Sequence, residues 1–144
     1  MKNNSFLIYG KHFRQFYHQE FQSLCTEYDL SQLEIDILLF LKNNPSFNTA
    51  RDICLMRGFA KSNVSKALET LKAKGYIFSQ EDVESRKVHR LFLKPEKEAA
   101  IQKLLECQKS CFAVMLQGFS EKELELFRSL MQRVDENMVC RLKQ

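Results

Sequence analysis

Glycine and proline are scarce, four and two among 144 residues. So little turn-forming material, beside 12 phenylalanines, suits a mostly helical chain with few loops. No stretch of about 18 uninterrupted apolar residues is present to span a bilayer, and the opening MKNNSFLIYGKHF reaches charge too soon for a signal peptide. The expectation is a cytoplasmic protein with no membrane partner. The cysteines lack the pattern that metal or disulfide chemistry requires: Cys25, Cys54, Cys107, Cys111 and Cys140 are odd in number and widely spaced, with no CxxC and no nearby CxH or HxC pair. They read as reduced thiols, with no metal site. No Cys/His/Asp grouping has catalytic spacing, so neither an enzyme nor a cofactor is expected. Internal repeats, low-complexity segments and dividing linkers are also missing, and 144 residues fit one domain able to bury a real core.

What is present is a local surplus of positive charge. The net charge is only +4, but residues 51–97 hold 11 of the 22 Lys/Arg and only 6 of the 18 Asp/Glu. The basic excess therefore sits in the middle, flanked by near-neutral segments, as in a module that binds a polyanion. A solvated basic surface has the same composition, so charge alone does not decide.

Apolar periodicity places the elements. Ser5 can cap a first helix running to about Tyr28, with Phe6, Phe13, Phe16, Tyr17, Phe21, Leu24 and Tyr28 along one face. Ser31 and Glu34 form an SxxE capping box for a second helix, which ends near Asn43 and Asn44 before Pro45. Its Ile35 and Ile37 to Leu41 are apolar nearly all round, marking it as the central buried helix. Asn48 or Thr49 can cap a short third helix closed by Gly58, with Cys54 expected on its inner side. A fourth helix from Lys61 to Lys74 turns Val64, Ala67, Leu68 and Leu71 inward. The period then changes to two: Tyr76, Ile77 and Phe78 lead to a charged tip, and HRLFL returns, predicting a hairpin. Pro95 opens a long helix to about Gly118, and Ser120 with Glu123 caps a last one carrying Leu124, Phe127, Leu130, Met131, Val134 and Met138. The fold class is mainly α with a small β-hairpin wing.

That order, a basic helix after a tight turn and then a charged hairpin, is the layout of a winged helix-turn-helix. The second helix of such a motif lies in the major groove, so its leading exposed residues must reach phosphates and base edges. Lys61, Ser62, Asn63, Ser65 and Lys66 meet that requirement. Arg86 and Lys87 stand at the hairpin tip, where a minor groove's negative potential suits arginine. Asp82, four residues before Arg86, is expected to pair with it and orient the guanidinium.

The segments SNVSKALETLKAKGYI and DVESRKVHRLFLKPE resemble the recognition helix and wing of the MarR (multiple antibiotic resistance regulator) family, and the similarity extends over nearly the whole chain. The resemblance implies a winged helix-turn-helix part at residues 30–95 and dimerisation helices at 1–29 and 96–144. It places Ser62, Asn63, Ser65 and Lys66 in the recognition helix, Asp82 on the wing aspartate and Arg86 on the wing arginine. It further implies a homodimeric, double-stranded-DNA-binding regulator of transcription, expected to be a repressor of a pseudo-palindromic operator, released by a small amphipathic or phenolic ligand. The effector-binding residues are unknown. Three positions depart from the family pattern: Ala60 where a serine cap is common, Ser85 where an aspartate often precedes the wing arginine, and Lys94 where a threonine often caps the next helix.

The aromatic face of the first helix and the apolar stripes of the last two read as dimer interface and core, with an effector pocket as a further use. His12 and His18 neighbour that face and are expected to be exposed. Two alternatives stay open: a winged-helix protein-interaction module without operator binding, and a thiol-based redox-sensing regulator. Against the latter, Cys107 and Cys111 lie four apart on one helix, a poor geometry for a disulfide.

Overall fold

The computed structural model describes residues 5–143, with side chains from residue 7 onward. The expected cap by Ser5 and the place of Phe6 on the aromatic face lie outside those descriptions. The elements run α1 (Ser5–Tyr28), α2 (Gln32–Asn43), α3 (Ala50–Arg57), α4 (Lys61–Ala73), β1 (Ile77–Glu81), β2 (His89–Leu93), α5 (Glu98–Met115) and α6 (Glu121–Leu142), as the sequence pattern leads one to expect. The one addition is a 3-10 turn, Pro95–Lys97, ahead of α5. Proline there fixes φ and lacks an amide that the turn would leave unpaired in any case. The chain divides into two compact units, with the boundary between Lys109 and Ser110.

In the first unit α2 is the hub. Its Ser31 side chain accepts from the Glu34 amide while the Glu34 carboxylate accepts from the Ser31 amide, closing the expected box at 3.1 and 3.2 Å. Every residue from Glu34 through Leu41 is buried. Phe21 of α1, Ile53 of α3, Val64 and Leu71 of α4, Ile77 of β1, and Ile101 and Leu104 of α5 complete the core, each at most 1% exposed. Burying a side chain of this size contributes roughly 1.5–3 kcal/mol. The hub therefore anchors α4 through several such residues.

Turn chemistry sets where the elements stop. Asp29 takes the left-handed conformation, φ 50°, and the Leu30 amide reaches back to the Cys25 carbonyl at 3.0 Å. That is a Schellman-type end in which aspartate stands where glycine is usual. The same device ends α4: Gly75 has φ 77° and the Tyr76 amide donates to the Leu71 carbonyl at 3.0 Å. The chain direction reverses there into the hairpin.

The hairpin is antiparallel, in register from Ile77 opposite Leu93 to Glu81 opposite His89. Period-two alternation buries Ile77 and Leu91 and stacks Phe78 on Phe92 across the strands, with ring centroids 5.4 Å apart.

In the second unit α6 opens with its own capping box, Ser120 and Glu123. No residue of α6 is buried. Leu126, Phe127, Leu130, Met131 and Met138 are each between 45% and 59% exposed. Of the stripe expected from the sequence, Phe127, Leu130, Met131 and Met138 are exposed and Leu124 and Val134 half-buried, so the part of the reading that put it in the core is corrected.

Candidate nucleic-acid interface

The helix-turn-helix is built from α3 and α4. Of the two caps the sequence allows, Thr49 is the one used: its side chain accepts from the Asp52 amide at 3.1 Å, and the Asp52 carboxylate accepts from the Thr49 amide at 3.2 Å. Gly58, φ 67°, ends α3. Arg57, the last residue of α3, stacks over the ring of Phe59 in the turn that follows, at 5.0 Å, and lies 4.0 Å from Asp36 of α2. Burial raises the Asp36 carboxyl above its ordinary pKa; a hydrogen bond from Gln32 and the nearby Arg57 and His18 partly offset it.

The fourth helix turns Val64, Ala67, Leu68 and Leu71 inward, as expected. Lys61, Ser62, Asn63, Ser65 and Lys66 all face solvent. Ala60 is the N-cap and supplies no side-chain hydrogen bond, and Ser62 does not take its place. The amides of the first turn are thus left without a capping acceptor, at a cost of about 1 kcal/mol relative to a serine cap. The helix dipole and the lysines put positive potential on the same end.

Between α3 and α4 runs a groove of about 300 Å³, lined by Ala50, Arg51, Cys54, Leu55, Lys61, Val64 and Ser65. Cys54 was expected in the core; it is half-buried on this groove, because Ile53 is the residue of α3 that points at the hub. Cys25 is half-buried too, and burial together with the Asp36 carboxylate pushes its thiol pKa up. A raised pKa leaves less thiolate at neutral pH, which makes a poor redox nucleophile.

At the far end of α4, Lys74 donates to the Asp29 carbonyl. Its ammonium also lies 3.5 Å from the Asp29 carboxylate and 3.7 Å from that of Glu34. This clamp ties α4 to the α1–α2 corner.

The wing tip spans residues 82–88. The Val88 amide donates to the Ser85 carbonyl at 3.1 Å, so Arg86 and Lys87 occupy the two central positions of a β-turn, and both are exposed. The expected partnership of Asp82 with Arg86 is not what forms. Asp82 accepts from Nε of Arg90 at 3.2 Å, because its amide donates to the Val88 carbonyl at 2.8 Å and fixes it at the base of the tip, beside β2. Arg86 is left projecting from the turn.

Sequence reasoning also missed Asn48, which is 6% exposed. Its Oδ1 accepts from Nη1 of Arg90 at 3.1 Å and its Nδ2 donates to the Leu91 carbonyl at 3.0 Å. The Leu91 amide in turn donates to the Asn48 carbonyl at 2.8 Å. Asparagine before a helix is a routine cap, and that local signal hid the long-range one.

Residues 28–87, from the end of α1 to the wing tip, match the sequence pattern of the MarR family. The match to the MarR family thus covers the winged helix-turn-helix segment. No curated protein sequence matches the chain. Among solved structures, a MarR-family transcriptional regulator from Listeria monocytogenes complexed with 26mer DNA superposes with a TM-score of 0.78, at 18% identity over 96% of this chain and 90% of that one. A Staphylococcus aureus MepR–DNA complex gives 0.77, at 15% identity over 96% of each chain. The transcriptional regulator SlyA gives 0.79, at 18% identity over 93% and 94%. The MarR fold is therefore common to nearly the whole chain.

Proposed function

We propose that the protein is a double-stranded-DNA-binding regulator of transcription that acts as a homodimer on a pseudo-palindromic operator. The observation that carries this reading is the exposed leading face of α4. Lys61, Ser62, Asn63, Ser65 and Lys66 face solvent around a helix N-terminus with no side-chain cap. An uncapped first turn is a weakness in a free helix, but a phosphate oxygen accepts from those amides and removes it. Lys61 then meets the backbone, while Asn63 and Lys66 are long enough for base edges. Arg86 and Lys87 at the wing turn reach the neighbouring minor groove. The MarR-family structures solved with DNA support the same docking.

Dimerisation is supported by the exposed apolar side chains of α6 and of α1, where Leu7, Ile8, Tyr9 and Phe13 are each at least 43% exposed. Exposed apolar stripes of this kind mark interaction faces. Two copies related by a two-fold axis present two α4 helices about one turn of DNA apart. Repression, and release by a small amphipathic or phenolic ligand, rest on the family resemblance.

The test is fluorescence anisotropy against the inverted repeat upstream of the protein's own gene. Affinity is expected to fall steeply as salt rises, with a log–log slope set by the number of phosphates contacted, and Arg86→Ala to weaken it. Binding that ignores sequence, or none, would refute the reading and favour a protein-interaction module.

A further inference from the structure

The wing tip needs a fixed direction to be of use, and its turn alone does not supply one. A seven-residue tip on a two-stranded ribbon twists and bends freely unless its base is held. Here the base is held by one guanidinium. Arg90 donates from Nε to Asp82, the first residue after β1, and from Nη1 to Asn48. Asn48 also exchanges two hydrogen bonds with Leu91 of β2, one through its side chain at 3.0 Å and one through its backbone at 2.8 Å. It thereby acts as a one-residue third strand. The next residue, Thr49, is the N-cap of α3. The chain of contacts therefore runs from the wing's first strand through Arg90 to its second strand and on to the start of the helix-turn-helix.

Resting on the DNA-binding reading above, we infer that Arg90 is a positioning residue for the wing: through Asp82 and Asn48 it sets where Arg86 and Lys87 lie relative to Lys61–Lys66, without itself touching DNA. Planarity is what suits it to this task. A guanidinium donates from Nε and Nη1 in fixed, separate directions, whereas a lysine ammonium is a point charge on a flexible stem. Arg90 carries the same charge as lysine, so charge and geometry are separable. Its side chain is about one-third exposed, and replacing it leaves the buried core intact.

The experiment uses the full-length protein and a fluorescein-labelled inverted-repeat duplex that the wild-type protein itself selects from a random pool. Arg90→Lys is expected to lower affinity about tenfold, the scale of coupling among residues in one hydrogen-bonded network, with its salt slope unchanged. In an Arg86→Ala/Lys87→Ala background the same substitution is expected to change affinity less than twofold, because the tip it aims is gone. Amide exchange at Asp82 is expected to accelerate in Arg90→Lys while melting of the helices is unaltered, which separates loss of aim from loss of fold. Wild-type affinity in Arg90→Lys, or an equal loss in both backgrounds, would overturn the inference while leaving DNA binding standing. Failure of the wild-type protein to select any duplex would sink both.

Discussion

Helices α2 and α6 begin alike and end in opposite environments. Each opens with a serine and, three residues on, a glutamate in a reciprocal capping box. Each carries apolar residues at helical spacing. Yet eight consecutive residues of α2 are buried, and none of α6 is. The cap thus specifies where a helix starts and says nothing of what it will meet. That is decided by the number of apolar faces: α2 is apolar nearly all round and must be surrounded, whereas α6 has one stripe and needs one partner.

The comparison can be broken most sharply at Leu38, which is fully buried in α2. Leu38→Ala is expected to lower unfolding free energy by about 2–5 kcal/mol, read as a shift in the urea midpoint. On α6 the outcome should be of another kind. Leu130→Glu sets a carboxylate on the exposed stripe and is expected to raise the dimer dissociation constant about tenfold or more, because an unpaired charge resists burial in an apolar interface. Sedimentation equilibrium would show that shift, with helix content by circular dichroism retained. A dimer of unchanged strength would remove α6 from the interface.

The caps allow a finer test. Ser31→Ala is expected to cost about 2 kcal/mol and Ser120→Ala about 1 kcal/mol. Glu34 is buried, its Oε1 has no hydrogen-bond partner, and its Oε2 accepts from the Ser31 hydroxyl at 2.7 Å as well as from the Ser31 amide, so Ser31→Ala removes a hydrogen bond from a carboxylate that little water can reach. Glu123 is exposed, and water replaces what Ser120 gives up. Equal costs at the two sites would mean that burial adds nothing to a cap.

The smallest effect belongs to Asp36, the other buried carboxylate of α2. Its folded pKa is raised, chiefly by burial, so the folded state keeps the proton to higher pH than the unfolded chain does. Stability from this group is therefore present at low pH and is lost as pH rises from the ordinary carboxylate range through the raised value. Asp36→Asn keeps an acceptor for Gln32 and removes that loss. The variant is expected to be the more stable one at pH 7, and to lose less stability than the parent between pH 4 and pH 7, by urea unfolding at both values. The Arg57 contact, at 4.0 Å and partly exposed, is worth too little to reverse the sign.

How much of this was legible beforehand divides by range. Both SxxE boxes, the inward set of α4, the glycine end of α3 and the hairpin strands follow from local spacing, and the structure has them all. What escaped was long-range. Asp82 and Arg86 stand four residues apart at the tip, a spacing that suggests a pair. On a hairpin tip the nearer neighbour lies across the strands, and Arg90 is that neighbour. Asn48 and Leu91, 43 residues apart, pair through the Asn48 side chain and through backbone groups that every residue possesses, and at Leu91 no side-chain pattern announces the contact. At Cys54 the pattern misleads because an eight-residue helix defines its inner face only to within one position.

The central claim is that two copies of α4 read DNA as a pair, and selection of duplexes from a random pool by the full-length protein tests it most directly. The expected result is enrichment of an inverted repeat whose half-sites lie about 10 base pairs apart, centre to centre, with enrichment lost in a variant that replaces Asn63 and Lys66 by alanine. A single unpaired half-site, or a pool that stays random, would contradict it.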